Sequence, residues 1–301
     1  MRAIFVDCTD DLARVMEERG LHVPDSVVIN KGNPDDNDLV RLCADREVIF
    51  VEHTVVPPHV LEACPSIRAI VFMGTGAGTY IDVVDAANRG VEVRTVPGYG
   101  DRAVAEHSFA LIFAAARRVA EMDRQIRKGN WSPLGGLQLA GQKIAVIGLG
   151  GIGTCVADMA TALGMTVSAW NRTTRQHPAY VADLDQALVG ANVVTLHLSL
   201  SAETKGLLDE RRLQLPAPGF ILANTARADL VDEAPLLRLL ASGRIGHAAL
   251  DVFPNEPLQD GNPYAGLENV TLTAHAAYMT DAAYEELWLR TLAAFEQLPD
   301  A

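Results

Sequence analysis

Short apolar runs recur along the chain, separated by segments whose apolar positions fall every three or four residues. The first pattern predicts buried β-strands and the second amphipathic helices. In the first third the strand-like runs are 3–6, 48–51, 69–72 and 91–95, and helical spacing covers 9–19, 36–44 and 82–88. A second series starts at Lys143, with strands expected at 144–147, 166–170, 193–198, 220–223, 248–252 and 270–273. Strands alternating with helices imply parallel α/β architecture. Between the two series, Val96-Pro97-Gly98-Tyr99-Gly100-Asp101 is dense in chain breakers and reads as a hinge. Residues 103–126 then read as one long helix with an alanine-rich face, and 281–297 as a helical tail that packs back onto the first domain. The expected domains are therefore 1–100 with 281–301, and 101–280 inserted between them.

Composition narrows the classes. At 301 residues, two domains are the natural expectation. The 49% hydrophobic and 21% charged content reads as a soluble globular protein. No apolar run reaches the ~20 residues that span a membrane. The start, Met1-Arg2-Ala3-Ile4-Phe5-Val6-Asp7, reads as a strand and lacks the features of a signal peptide. A net charge of −13 argues against nucleic acid or an anionic membrane as the main partner. Cys8, Cys43, Cys64 and Cys155 form no C-x-x-C pair and no zinc-type cluster with histidine, so no metal is expected. Their apolar surroundings suit reduced core residues and a cytoplasmic location.

The strongest local signal is the apolar run Lys143 to Ile147 followed by Gly148-Leu149-Gly150-Gly151-Ile152-Gly153. Gly-x-Gly-x-x-Gly between a strand and a helix is the pattern of a dinucleotide site. The first glycine makes the turn, the second admits a pyrophosphate to the backbone, and the third lets helix and strand pack closely. The helix start adds unpaired N–H groups and a positive dipole end.

Three further segments put ionisable residues just beyond expected strands: Asn224-Thr225-Ala226-Arg227, Asp251 through Pro257, and His275 through Thr280. Together with Val104-Ala105-Glu106-His107 and the glycine loop, in this order and spacing, they make the chain resemble the D-isomer-specific 2-hydroxyacid dehydrogenase family over nearly its full length. The resemblance implies a Rossmann cofactor domain inserted into a flavodoxin-like substrate domain. It also implies a nicotinamide held between the domains and a homodimer formed largely through the cofactor domain, including the helix and arm around residues 103–139.

It further implies Arg227, Glu256 and His275 as the catalytic trio, and a dinucleotide held by Gly148, Gly150, Gly151, Ile152, Gly153, Thr225 and Asp251. The trio suits reduction of a 2-oxo acid. A guanidinium fork fits a carboxylate and a developing oxyanion. Histidine can supply the proton, and a glutamate on its other ring nitrogen would favour the imidazolium and fix its orientation. Met73 to Asp82 corresponds to the family's substrate loop, in which Thr75, Gly76 and Ala77 can aim backbone N–H groups at a carboxylate. The loop departs from the family pattern, with Thr79-Tyr80 where Asp-Asn is usual, and Ala228 stands where glycine usually follows the arginine. His53 and Arg102 are further substrate-binding candidates. His107 and His197 read as structural.

At the second strand's end an Asp or Glu would bind the ribose 2′-hydroxyl of NAD. Here Trp170-Asn171-Arg172-Thr173-Thr174-Arg175 offers none, and Asn171, Arg172 and Arg175 suit a 2′-phosphate. The expectation is therefore NADP(H), with NAD(H) as the alternative. The expected activity is hydride transfer between NADP(H) and a small 2-oxo or 2-hydroxy acid, of glyoxylate or hydroxypyruvate reductase type. A phosphoglycerate dehydrogenase is the rival within the family, and a dinucleotide-sensing corepressor the rival of another class. Formate dehydrogenases carry glutamine in place of Glu256, phosphite dehydrogenases use a lysine that Met73–Thr79 lacks, and a methyltransferase needs none of the downstream trio.

Overall fold

The computed structural model describes residues 1–299. The chain divides into two compact units, Met1–Gly100 with the chain from Met279 onward, and Asp101–Tyr278.

Unit 1 is built on β1 (Ala3–Cys8), β2 (Val27–Lys31), β3 (Val48–Val51), β4 (Ala69–Phe72) and β5 (Glu92–Thr95). They form one sheet in the order β2-β1-β3-β4-β5, every neighbouring pair parallel. The central strands β1, β3 and β4 are buried at every position, which is why they stand out in the sequence as unbroken apolar runs. Edge strand β2, Val-Val-Ile-Asn-Lys, is only partly buried and its apolar run stops after three residues at Asn30, so the pattern missed it. The helix Asp281–Glu296 belongs to this unit. Its Trp288 is fully buried, stacks on Phe5 at 6.2 Å and meets Phe50 edge-on at 6.3 Å. The indole N–H donates to the His22 carbonyl at 2.9 Å. Burying so large an aromatic body with its polar tip satisfied anchors the tail.

Unit 2 contains β6 (Lys143–Ile147), β7 (Thr166–Trp170), β8 (Val193–Leu196), β9 (Phe220–Asn224), β10 (Ile245–Leu250) and β11 (Val270–Leu272). Their order is β11-β10-β9-β8-β6-β7, again all parallel. Outside β7, Tyr180 bridges Ala169 in parallel, with Ala169 N donating to Ala179 O at 2.8 Å and Val181 N to Ala169 O at 2.7 Å. Counting this bridge as a vestigial third strand yields the doubly wound order 3-2-1-4-5-6 with one further strand. The segment Gln176-His177-Pro178 before it has no apolar run, so it could not be read as a strand.

The long helix expected over 103–126 is two helices, Asp101–Ala116 and Val119–Arg127. Arg118 between them has φ 52°, a left-handed conformation, and its guanidinium forks onto Glu121 at 2.8 and 2.9 Å. Leu137 N donates to the Ala116 carbonyl at 2.8 Å, and a side chain on Gly136 would begin 2.4 Å from that oxygen. The returning segment thus ends the first helix, while the alanine-rich periodicity runs through the break unchanged. Among the described residues no helix is long and apolar enough to cross a membrane, and no cluster of His, Cys, Asp and Glu is placed to hold a metal ion.

Candidate active site

The glycine loop follows β6, whose sheet neighbours are β7 on one side and β8 on the other. Gly148 has φ 111°, and a Cβ there would lie 2.4 Å from the His197 carbonyl oxygen. A Cβ on Gly153 would lie 1.7 Å from the Gly148 oxygen. Both collisions are with backbone, so neither glycine can be replaced without moving the chain. Gly150 is different: a Cβ there meets nothing within 4 Å, and Gly150 caps the helix Gly151–Ala162 with no side-chain hydrogen bond. The helix start therefore has no side-chain cap from Gly150 and has open space beside it, which fits a dinucleotide pyrophosphate. The Asp101 carboxylate lies against Gly151, where a side chain would begin. Ile152 packs against the apolar layer beneath.

Asn171, expected to meet the cofactor, is turned inward. Its Oδ1 accepts the Leu149 N–H at 3.0 Å, while Nδ2 donates to the Thr173 carbonyl at 2.9 Å and to Thr173 Oγ1 at 3.0 Å. The amide braces the glycine loop against the turn after β7. Arg172 is exposed and paired with Glu203 at 2.7 Å, and Arg175 is exposed with no ion pair among the described residues. Thr225 is also spent internally, its hydroxyl 2.8 Å from Ser108 Oγ, which itself donates to the Val104 carbonyl. His197 sits with Nε2 2.9 Å from Thr195 Oγ1, and burial pushes its pKa down to about 3, so it is neutral.

The trio comes from the carboxyl ends of three adjacent strands, β9, β10 and β11. After β9, Asn224 Oδ1 accepts the Ala226 N–H at 3.0 Å and its Nδ2 donates to the Arg227 carbonyl at 2.9 Å, fixing the turn that carries Arg227. After β10 comes Asp251, expected as a cofactor contact but fully buried. It accepts from Thr273 Oγ1 at 2.6 Å and from the N–H groups of Ala276 and Ala277 at 3.0 Å each, with His107 Nε2 at 3.5 Å. Burial alone would raise its pKa, but these hydrogen bonds from His107, Thr273 and the two amides outweigh it and hold the carboxyl below its ordinary value. Asp251 is a positioning residue for the turn after β11.

That turn is strained. His275 has φ 51°, a region that costs a non-glycine residue roughly 1 kcal/mol, and its N–H donates to the Asp251 carbonyl at 2.8 Å. His275 Nδ1 lies 2.7 Å from Glu256 Oε2, both side chains 34% exposed. Glu256 Oε1 accepts the Phe253 N–H at 2.8 Å. Burial pushes the Glu256 carboxyl up, yet the hydrogen bonds from His275 and Phe253, with the charges of His275 and Arg227, bring it below its ordinary value. A carboxylate so held stays ionised and orients the imidazole.

In unit 1, Asp7 at the end of β1 is buried and accepts the N–H groups of Glu52, His53 and Thr54 at 2.9, 2.7 and 2.7 Å. The turn after β3 is thereby fixed, and His53 stands on it with its ring edge-on to Tyr80 at 6.1 Å. Tyr80 stacks on Phe72 at 5.3 Å. In the substrate-loop candidate, Thr75 is exposed, Gly76 half-buried and Ala77 buried at the start of a single helical turn, Ala77–Thr79. Arg102, in unit 2, is exposed and its guanidinium is bonded to Glu106 at 2.6 Å, one turn along its own helix.

Residues 109–277 match the family described as D-isomer specific 2-hydroxyacid dehydrogenase, NAD binding domain. The chain belongs to the D-isomer specific 2-hydroxyacid dehydrogenase family. A glyoxylate reductase of Korarchaeum cryptofilum is 33% identical over 91% of this chain and 84% of its own length. A D-3-phosphoglycerate dehydrogenase of Archaeoglobus fulgidus is 35% identical over 82% of this chain, but the match spans only 48% of that protein. The chain thus spans about half the length of such relatives. Among solved structures, an acyclic imino acid reductase in complex with NADPH and D-arginine superposes with a TM-score of 0.84 at 28% identity, covering 98% of this chain and 96% of that one.

Against this family background, Ala228 needs no glycine-like backbone, since it opens a single helical turn without positive φ. Tyr80 uses its ring to cover Phe72. Sequence reasoning missed Glu203, Ser108 and Thr273. Each acts on a partner far away in the chain, such as Arg172 for Glu203, and no local motif announces it.

Proposed function

We propose that this protein is an NADP(H)-linked oxidoreductase that interconverts a small 2-oxo acid and its 2-hydroxy acid, of glyoxylate or hydroxypyruvate reductase type. The observation that carries the reading is the 2.7 Å His275–Glu256 pair, at the ends of the same sheet that carries a glycine-loop helix without a side-chain cap at Gly150, and beside the charge of Arg227. The nicotinamide supplies or accepts the hydride. Gly148, Gly150, Gly151, Ile152 and Gly153 hold its pyrophosphate, and Arg172 and Arg175 favour a 2′-phosphate. Arg227 forks onto the substrate carboxylate and polarises the carbonyl. Glu256 occupies Nδ1 of His275, which leaves Nε2 to give the proton to the nascent alcohol, or to take it back in the other direction. In unit 1, His53 and the backbone of Thr75, Gly76 and Ala77 serve the substrate.

The protein acts as a homodimer through residues 103–139, where Phe113, Ile126 and Trp131 expose large apolar surface and Trp131 is 86% exposed. Four free cysteines suit a cytoplasmic location. A second reading, a phosphoglycerate dehydrogenase, is favoured by the name of the relative at 35% identity. Steady-state rates with glyoxylate, hydroxypyruvate and 3-phosphohydroxypyruvate, each with NADPH and NADH, separate the two. The first reading expects the unphosphorylated acids with NADPH to be fastest. Fastest turnover of the phosphorylated acid supports the second, and dinucleotide binding without turnover of any acid removes the enzyme reading.

A further inference from the structure

The corner that faces the adenosine ribose in a doubly wound domain lies at the end of the second strand, here β7. Its first residue, Asn171, has both ends of its amide committed to Leu149 and Thr173. What remains to meet a ligand is charge: Arg172, Arg175, and a carboxylate that does not come from this strand. Glu203 stands in the turn after β8 and pairs with Arg172 at 2.7 Å. Because β7 and β8 flank β6, this ion pair joins the turns on either side of the strand that carries the glycine loop.

The turn presenting Glu203 is well held. Buried Thr204 donates from Oγ1 to the Ser199 carbonyl at 2.8 Å and accepts the Ser201 N–H at 2.8 Å, and Lys205 N donates to the Ser201 carbonyl at 2.9 Å.

We propose that Glu203 is a specificity-determining residue for the dinucleotide, supplying from the turn after β8 the carboxylate that the end of β7 lacks. The inference rests on the reading of the glycine loop as a dinucleotide site. A carboxylate accepts hydrogen bonds from ribose hydroxyls, repels a 2′-phosphate, and here also withholds the Arg172 guanidinium from that phosphate. Glu203 therefore narrows the preference for NADP(H) that the bare Asn-Arg-x-x-Arg turn implies. Both side chains are more than half exposed, so solvent and salt limit the effect to a modest factor.

Fluorescence titrations of NADPH and of NADH test the proposal in the wild type, Glu203→Gln, Arg172→Ala and the double variant. Glu203→Gln is expected to tighten NADPH about fivefold and to weaken NADH up to about threefold, with the shift shrinking as salt is raised. With Arg172 already removed, the gain for NADPH is expected to shrink, because releasing Arg172 is part of it. An NADPH-to-NADH affinity ratio unchanged by Glu203→Gln overturns the role of Glu203 while the dinucleotide site stands. Binding of neither dinucleotide by the wild type overturns the site and the proposal together.

Discussion

The two sheets carry the same kind of switch point, β1 beside β3 in unit 1 and β6 beside β8 in unit 2, and the chain finishes them in opposite ways. In unit 1 the corner is closed by its own anions. Buried Asp7 takes three backbone N–H groups of the turn after β3, Thr9 caps the helix Asp10–Glu18 by accepting the Leu12 N–H, and Asp10 and Asp11 fill that helix's first turn. In unit 2 the helix after β6 begins at Gly150 with no side-chain cap and no acid in its own first turn. The Asp101 carboxylate, from the helix Asp101–Ala116, lies against Gly151. Strand order alone thus does not make an anion site. What differs is whether the helix at the switch point carries its own cap and first-turn acids, as in unit 1, or neither, as in unit 2.

The largest expected effect tests whether chemistry belongs to the unit with the open corner. His275→Ala should lower turnover about 10²–10⁴-fold with little change in dinucleotide affinity, because it removes a proton donor and leaves the glycine loop intact. His53→Ala in unit 1 should chiefly raise KM. Equal losses of kcat in the two variants would erase the division of labour drawn here.

Closing the open corner is the next test. Gly150 has room for a side chain and an ordinary extended backbone, so Gly150→Asp should fold. A carboxylate there satisfies the helix N–H groups and repels phosphate, and dinucleotide affinity should fall roughly a hundredfold. Titration at matched thermal stability would show it, and undiminished binding would mean the phosphates dock elsewhere.

The converse operation on unit 1 concerns stability. Asp7→Ala leaves three N–H groups of a buried turn without their acceptor, at a cost of about 3–5 kcal/mol. Chemical denaturation should show unit 1 melting earlier while unit 2 still binds dinucleotide. A loss under about 1 kcal/mol would show that water replaces the carboxylate.

The smallest effect comes from the opposite end of unit 2's sheet. His247 on β10 bonds Thr271 Oγ1 at 2.9 Å, and burial, with the charges of Arg118 and Arg124, lowers its pKa from 6.5 to about 4. The unfolded chain binds this proton first as pH falls, so stability is lost between pH 6.5 and about 4, by at most about 3 kcal/mol. His247→Gln should flatten that part of the curve of unit 2's melting temperature against pH. An unchanged slope would assign the acid sensitivity to other groups.

Much of this arrangement was legible before any coordinates. The buried strands β3 and β4 could be read to the residue, because both faces of each are covered and the apolar run has no gaps. Gly153 announces a local steric necessity, since its Cβ would meet the Gly148 oxygen, whereas the close approach of His197 to Gly148 is set by the neighbouring strand β8. Arg227, Glu256 and His275 could be nominated because strand ends are marked by the residues that break the apolar runs. Edge strand β2 and the vestigial strand at Tyr180 left no such mark, since exposure and brevity remove the pattern.

What the sequence determined by itself was the buried strands and the chemistry available at their ends, because both follow from short-range periodicity and residue type. Tertiary structure alone decided how each polar side chain is used. Asn171 reaches Leu149 across 22 positions, Asp251 gathers Ala276 across 25, and Glu203 meets Arg172 across 31. A hydrogen bond depends on distance in space, and the parallel crossovers of this fold bring together groups that no local pattern connects.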